Sequence, residues 1–222
     1  MQSFLMLKLA GMMQAWGSHT YEVYRPSLNF PSRSGLLGLL GACLGLRRDD
    51  EAGQLALAQS IRFSVRADER TFSPVKLADF HTVLDARKVG GKISHYPVVS
   101  RREYLCDASF TVAVKAAAAA PIPLAALIQA VQQPVFTPYL GRRSCPLQRP
   151  LFEAVVEAAD SLAALSLVEP LGGVIYSEEG EAELPQLRLR DEPIIVRPRQ
   201  FASRRAYIHS SSRGESHVPE QD

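Results

Sequence analysis

The sequence predicts an α+β fold in which two strand–helix–strand units make one β-α-β-β-α-β domain. Three observations predict it. Segments 3–9, 61–67, 104–115 and 151–158 carry the alternation of strands and fall into two pairs. Within each pair the intervening residues have helical spacing. Between the pairs lies an insert, 73–102, whose glycines and polar residues suit neither a core helix nor a core strand. Two such halves compose a ferredoxin-like sandwich, here residues 1–158.

Each element has its own justification. In 3–9, Leu5, Leu7 and Leu9 alternate with Phe4, Met6 and Lys8, so both faces are largely apolar and the strand is expected to be central. A loop follows over 11–31. Ser32 or Ser34 caps a helix running to about Leu46. Gly35, Gly38, Gly41 and Gly45 share one face of it, each costing about 1 kcal/mol against alanine unless a close approach offsets it. Residues 49–60 read as a second short helix. In 61–67, Ile61, Phe63, Val65 and Ala67 point inward and Arg62, Ser64 and Arg66 outward, a half-exposed strand. Phe110, Val112 and Val114 repeat the pattern in 104–115, 123–133 is helical, and 151–158 is the fourth strand.

In the insert, Gly90-Gly91 signals a hairpin, and its length exceeds that of a passive connector. It is expected to project and touch a partner or ligand. Beyond 158, residues 160–165 form a short helix and 172–177 is expected to pair with 186–190, extended by 194–197. This gives a small β-rich region over 159–208. The polar tail, 209–222, is expected to be disordered.

Composition bounds the function more loosely. The net charge is +2, so bulk charge does not announce a nucleic-acid binder. The basic residues divide into 20 Arg and 5 Lys, with no Lys after Lys115. Such a bias suits planar, bidentate contacts; a GC-rich coding sequence produces it equally. Cys43, Cys106 and Cys145 are far apart and odd in number, which points to reduced thiols and to no metal site or cofactor. The apolar start lacks a basic segment and a cleavage site, and the longest apolar run is too short for a bilayer. A cytoplasmic protein is expected.

The most chemically specific segment is 137–150, TPYLGRRSCPLQRP. Pro138, Pro146 and Pro150 exclude a continuous helix or central strand. Tyr139, Gly141, Arg142, Arg143 and Arg149 together suit a phosphate-and-base ligand: guanidinium for phosphate, glycine for close approach, tyrosine for stacking. The competing reading is a solvated surface loop. Arg33 and Ser34 open a helix, where free N–H groups favour anions. Gln14 and Trp16 follow the first strand, Trp16 either plugging the core or meeting ligand, and Arg25 comes shortly after. Arg199 and Arg204 lie in a second arginine–proline segment. His81, Lys92, His95 and Tyr96 form a conceivable acid–base set for metal-independent RNA cleavage; partner contact is the alternative. A Rossmann site is excluded by glycine spacing, and no P-loop, H-E-x-x-H or G-x-S-x-G occurs.

The segments LAGMMQAWG (9–17), FPSRSGLLGLLGACLGLRRDD (30–50), REYLCDASFTVAV (102–114), TPYLGRRSCPL (137–147), GGVIYSEE (172–179) and RDEPIIVRPRQFASR (190–204) carry a resemblance. Taken in order, they resemble the "Cas five" family, RAMP subunits of the type I-E CRISPR complex Cascade. The resemblance implies a ferredoxin-like (RRM/RAMP) domain with an inserted thumb hairpin and a small C-terminal β-rich part. It implies a non-catalytic antiviral-defence subunit that holds the 5′ handle of the crRNA and caps the CasC backbone filament, with the large subunit CasA beside it. Target DNA would be met only indirectly. Gln14, Trp16, Arg25, Arg33, Ser34, Tyr139, Gly141, Arg142, Arg143, Arg199 and Arg204 are then the expected RNA-binding set. His81, Arg87, Lys88, Lys92 and His95 are the expected thumb contacts. A metal-independent endoribonuclease acting on repeat RNA is the alternative.

Overall fold

The computed structural model describes residues 1–18, 20, 23–69, 75–87, 91–195 and 200–210. β1 (Gln2–Ala10) opens the chain, and β2 (Met13–Gln14), β3 (Trp16–Gly17), β4 (Tyr24–Arg25) and β5 (Ser27–Leu28) are short strands in the segment after it. α1 (Arg33–Cys43) and α2 (Glu51–Ser60) lead into β6 (Ile61–Asp68). The insert supplies β7 (Val75–Val83) and β8 (Val98–Cys106). Then come β9 (Ser109–Ala116), α3 (Leu124–Gln132), β10 (Phe152–Ala158), α4 (Ser161–Ser166), β11 (Gly173–Ser177), β12 (Gln186–Ile195) and β13 (Gln200–Ser210).

The main sheet has the order β10-β1-β9-β6-β11-β13-β12, antiparallel at every pairing. β1 is central, as its two apolar faces require. Leu5, Leu7 and Leu9 enter the principal core with Leu36, Leu40, Leu127 and Val131 of α1 and α3. Phe4 and Met6 face the other way, onto Ala164, Leu165 and Val168 at α4.

Four expectations are corrected. The helix expected to reach Leu46 stops at Cys43, because Gly45 adopts φ +77° and the amides of Gly45 and Leu46 turn back onto the carbonyls of Ala42 and Gly41. The single strand expected over 104–115 is two: Asp107, at φ +54°, lets β8 leave the sheet that β9 joins. The segment 172–177 does not pair with 186–190. β11 instead covers the edge of β6 and lies between it and β13, while β12 pairs with β13. The tail begins later than His209, since β13 runs to Ser210; residues 211–222 lie outside the described set.

The polar face expected for 61–67 is the most instructive difference. Arg62 is exposed, but Ser64 and Arg66 are buried beneath α4. Arg66 bonds Asp68 at 3.0 Å, the Thr111 hydroxyl at 3.0 Å and the carbonyls of Leu165 and Val168 at 2.6 and 2.8 Å. Lys8 reaches the same Asp68 at 3.0 Å. Charges removed from water persist only when partnered in this way.

Candidate nucleic-acid interface

The segment 137–150 is a compact loop hung on the chain between β1 and β3. Within it the Leu140 amide donates to the Cys145 carbonyl at 2.8 Å, and the Cys145 amide to the Arg142 carbonyl at 2.8 Å. Two bonds fasten it below: Ala15 N–H to the Leu140 carbonyl at 3.1 Å and Gln148 N–H to the Ala10 carbonyl at 3.0 Å. Leu140 and Cys145 are fully buried, so the loop is anchored by apolar side chains as well as by prolines.

Beside the loop stands the base of the hairpin. β7 and β8 pair antiparallel from Val75↔Cys106 to Val83↔Val98. β2 pairs with the far end of β8, and β4 runs parallel to it, setting Arg25 beside Arg102 and Tyr24 beside Arg101. Glu103 ties this corner together. It accepts from the Tyr24 hydroxyl, from the Ser27 amide at 3.0 Å and from Lys76 at 3.4 Å. Partial burial alone would raise its pKa, but those three donors outweigh desolvation and hold it below the usual carboxylate value. A carboxylate depressed in the folded state contributes stability above its unfolded pKa and loses it as pH falls through the folded value. Acidification from pH 6 to below 4.5 is therefore expected to loosen the hairpin base first. Hydrogen exchange of residues 98–106 should report this, and Glu103→Gln should remove the acid dependence.

The three arginines of the loop are not equivalent. Arg142 lies over the buried Tyr104 ring, 4.6 Å from its centroid, and donates to the carbonyls of Glu103 at 3.1 Å and Arg25 at 3.2 Å. Arg149 pairs with Glu153. Arg143 is exposed and has no hydrogen-bond or ion-pair partner among the described residues. Tyr139 is half-buried, bridged to Pro146, and Gly141 at φ +83° sets the turn.

Several residues expected to face RNA are instead interior, and their roles are corrected. Gln14 and Trp16 are fully buried: the indole N–H donates to Gln14 Oε1 at 3.0 Å, and Gln14 Nε2 donates to the Ala108 carbonyl at 2.7 Å. The Trp16 ring packs against α1 at Gly35, where an added Cβ would lie 2.8 Å from it, so Trp16 is the core plug. Arg33 is 2% exposed. Its guanidinium holds Glu178 at 2.8 Å and the Ala58 carbonyl at 2.6 Å, and its Nε lies 2.6 Å from Glu192 in ion-pair contact without hydrogen-bond alignment. The α1 N-terminus offered for phosphate is already filled: the Arg33 amide donates to Asp191 at 2.7 Å, and Arg204 grips the same carboxylate at 2.7 and 2.9 Å. Ser34 is half-buried near Ser32.

Of the hairpin residues, Arg87, Lys92 and His95 are exposed, and Arg87 bridges Ile93. His81 sits in β7 opposite Ser100, 2.8 Å from Asp79 and 3.3 Å from the Tyr104 hydroxyl, whereas Lys92, His95 and Tyr96 lie beyond the last β7–β8 pair, Val83↔Val98. Lys88 and Arg199 fall outside the described residues. Sequence reasoning passed over Arg101, Arg102, Glu103 and Tyr104. The run RREY at the end of the insert was the available signal, but only the pairing with β4 gives it meaning.

The thiols of Cys43, Cys106 and Cys145 are free, and burial pushes Cys43 up to about 11. Among the described residues no cluster of three or more His, Cys, Asp or Glu is placed to hold a metal ion, and no helix is long and apolar enough to cross a membrane.

Comparison with known proteins gives one consistent result. A family model described as CRISPR-associated protein (Cas_Cas5) matches residues 4–207. The CRISPR system Cascade subunit CasD of Escherichia coli (strain K12) is 52% identical over 215 residues, covering 94% of this chain and 96% of CasD. A solved chain of a CRISPR RNA-guided surveillance complex superposes with a TM-score of 0.75 at 29% identity, covering 94% of this chain and 90% of that one. Another, a Cas protein crystal structure, gives 0.66 at 26% identity, covering 93% and 94%. Agreement nearly end to end, in sequence and in fold, makes this chain a member of the CRISPR-associated Cas5 family.

Proposed function

We propose that this chain is the non-catalytic crRNA-binding subunit of a cytoplasmic type I-E Cascade, holding the repeat-derived 5′ handle and capping the backbone filament. The observation that carries this reading is the 52% identity to CasD across 94% of the chain. The sheet order β10-β1-β9-β6 supports reading the frame as the ferredoxin-like RAMP domain, with 159–208 as its β-rich extension. CasC is assigned to the hairpin, through residues such as Arg87, Lys92 and His95, and CasA to a neighbouring face.

RNA is assigned to the loop and the hairpin base. Arg143 supplies for phosphate a guanidinium with no partner among the described residues, and Tyr139 supplies a ring for a base. Such recognition follows an irregular single strand and reads splayed bases instead of a duplex groove. Arg143→Ala should reduce crRNA retention and lower the salt dependence of RNA binding by about one phosphate contact, with the fold intact. Co-purification with tagged CasC, followed by sequencing of the bound RNA ends, tests the whole reading: absence of repeat-derived 5′ ends would overturn it. Specific cleavage of a repeat hairpin in EDTA would favour the endoribonuclease instead.

A further inference from the structure

We propose that Arg142 is a positioning residue that locks the loop 137–150 to the base of the β7–β8 hairpin and so presents Arg143, instead of binding phosphate itself. The inference rests on the RNA-binding reading above for its functional consequence, but its structural half stands alone.

The geometry commits Arg142 inward. Its guanidinium bonds two main-chain carbonyls from different elements, Glu103 in β8 and Arg25 in β4, while its flat face covers Tyr104. Tyr104 is 3% exposed and its hydroxyl reaches His81 in β7. Arg142 therefore joins the loop to β4 and β8 directly, and Tyr104 carries the connection on to β7. Among the described residues the loop's main-chain fastenings, at Ala10 and Ala15, tie it to the end of β1 and the segment after it, and its side toward β8 is held by side chains. Arginine is suited to that task because a planar group donates in two directions and stacks at once. Lysine offers a point charge with no such face. The neighbouring Arg143 then projects from a loop whose orientation is set by the hairpin.

A double-mutant cycle separates positioning from direct contact. Arg142→Ala, Arg142→Lys, Arg143→Ala and the double alanine variant would be titrated, as full chains, with a fluorescently labelled repeat-sequence RNA. Positioning predicts that Arg142→Ala and Arg142→Lys weaken binding alike, by about tenfold, and that the double variant is no weaker than the weaker single. Additive losses, or rescue by lysine, would overturn it in favour of a phosphate contact.

Hydrogen exchange on the RNA-free proteins supplies the second readout. Arg142→Ala should raise exchange in both 98–106 and 139–147, and Arg143→Ala in neither. Unchanged exchange in Arg142→Ala overturns the tether whatever the RNA result. If neither single variant changes RNA binding, the loop's RNA role fails, and the exchange data still decide the tether.

Discussion

Gly141→Ala is expected to destabilise the protein by about 3 kcal/mol or more, which for a chain of this size lowers Tm by about 6–12 °C. Two effects combine. Gly141 sits at φ +83°, where any L-residue is strained. A Cβ there would also lie 1.8 Å from the Ala15 carbonyl oxygen and 2.7 Å from its carbon. Those are main-chain atoms, and the Ala15 amide is bonded to the Leu140 carbonyl next door, so they cannot yield without releasing the loop. Lifting the loop would expose Leu140 and Cys145 from the core. Gly91 is the control. It has the same φ of +83°, but an added Cβ would meet nothing within 4 Å among the described residues, so Gly91→Ala should cost only the conformational strain of about 1 kcal/mol. Thermal or urea denaturation of the two variants measures the difference. Equal small losses would mean that the loop accommodates the methyl group and is not fixed against Ala15.

Arg33→Met is expected to cost about 3–5 kcal/mol at neutral pH, the penalty for leaving a buried charge unpaired. Glu178 is the group left behind. Burial already raises its pKa, outweighing the attraction of Arg33 and Arg204. Removing Arg33 pushes it further in the same direction. The sign follows from linkage: a carboxyl with a raised folded pKa favours the folded state most when protonated, and that contribution is lost as pH rises through the folded pKa. The deficit of Arg33→Met should therefore shrink as pH is lowered toward 4.5, the ordinary value for the group. Adding Glu178→Gln should recover much of the loss at pH 7. Denaturant titrations at pH 5 and pH 8 check both statements, and a deficit independent of pH would remove Glu178 as its cause.

The strands and helices of the first 158 residues were largely legible because each buries a face whose period appears in the sequence. Both apolar faces of β1 and the inward Ile61, Phe63 and Val65 of β6 are of this kind. The errors cluster where a second element decides. Arg66 has the spacing of an outward residue, and only the arrival of α4, with its terminal carbonyls, turns that face into an interior. Arg33 stands at a helix start suited to an anion, but Asp191, distant in sequence, reaches it first.

The loop 137–150 shows the division most directly. The sequence by itself determined that it is irregular, cationic and stiff, because prolines, glycine and arginines impose those properties locally. Family membership was equally a property of sequence, since it rests on long matching segments. Which arginine remains available for a ligand was decided only in three dimensions. Arg142, Arg143 and Arg149 have the same chemistry, but carbonyls from β4 and β8 claim the first and Glu153 claims the last. Arg142's partners, Arg25 and Glu103, are distant in the chain and have no periodic signature, so they are visible only once the chain has folded around its guanidinium.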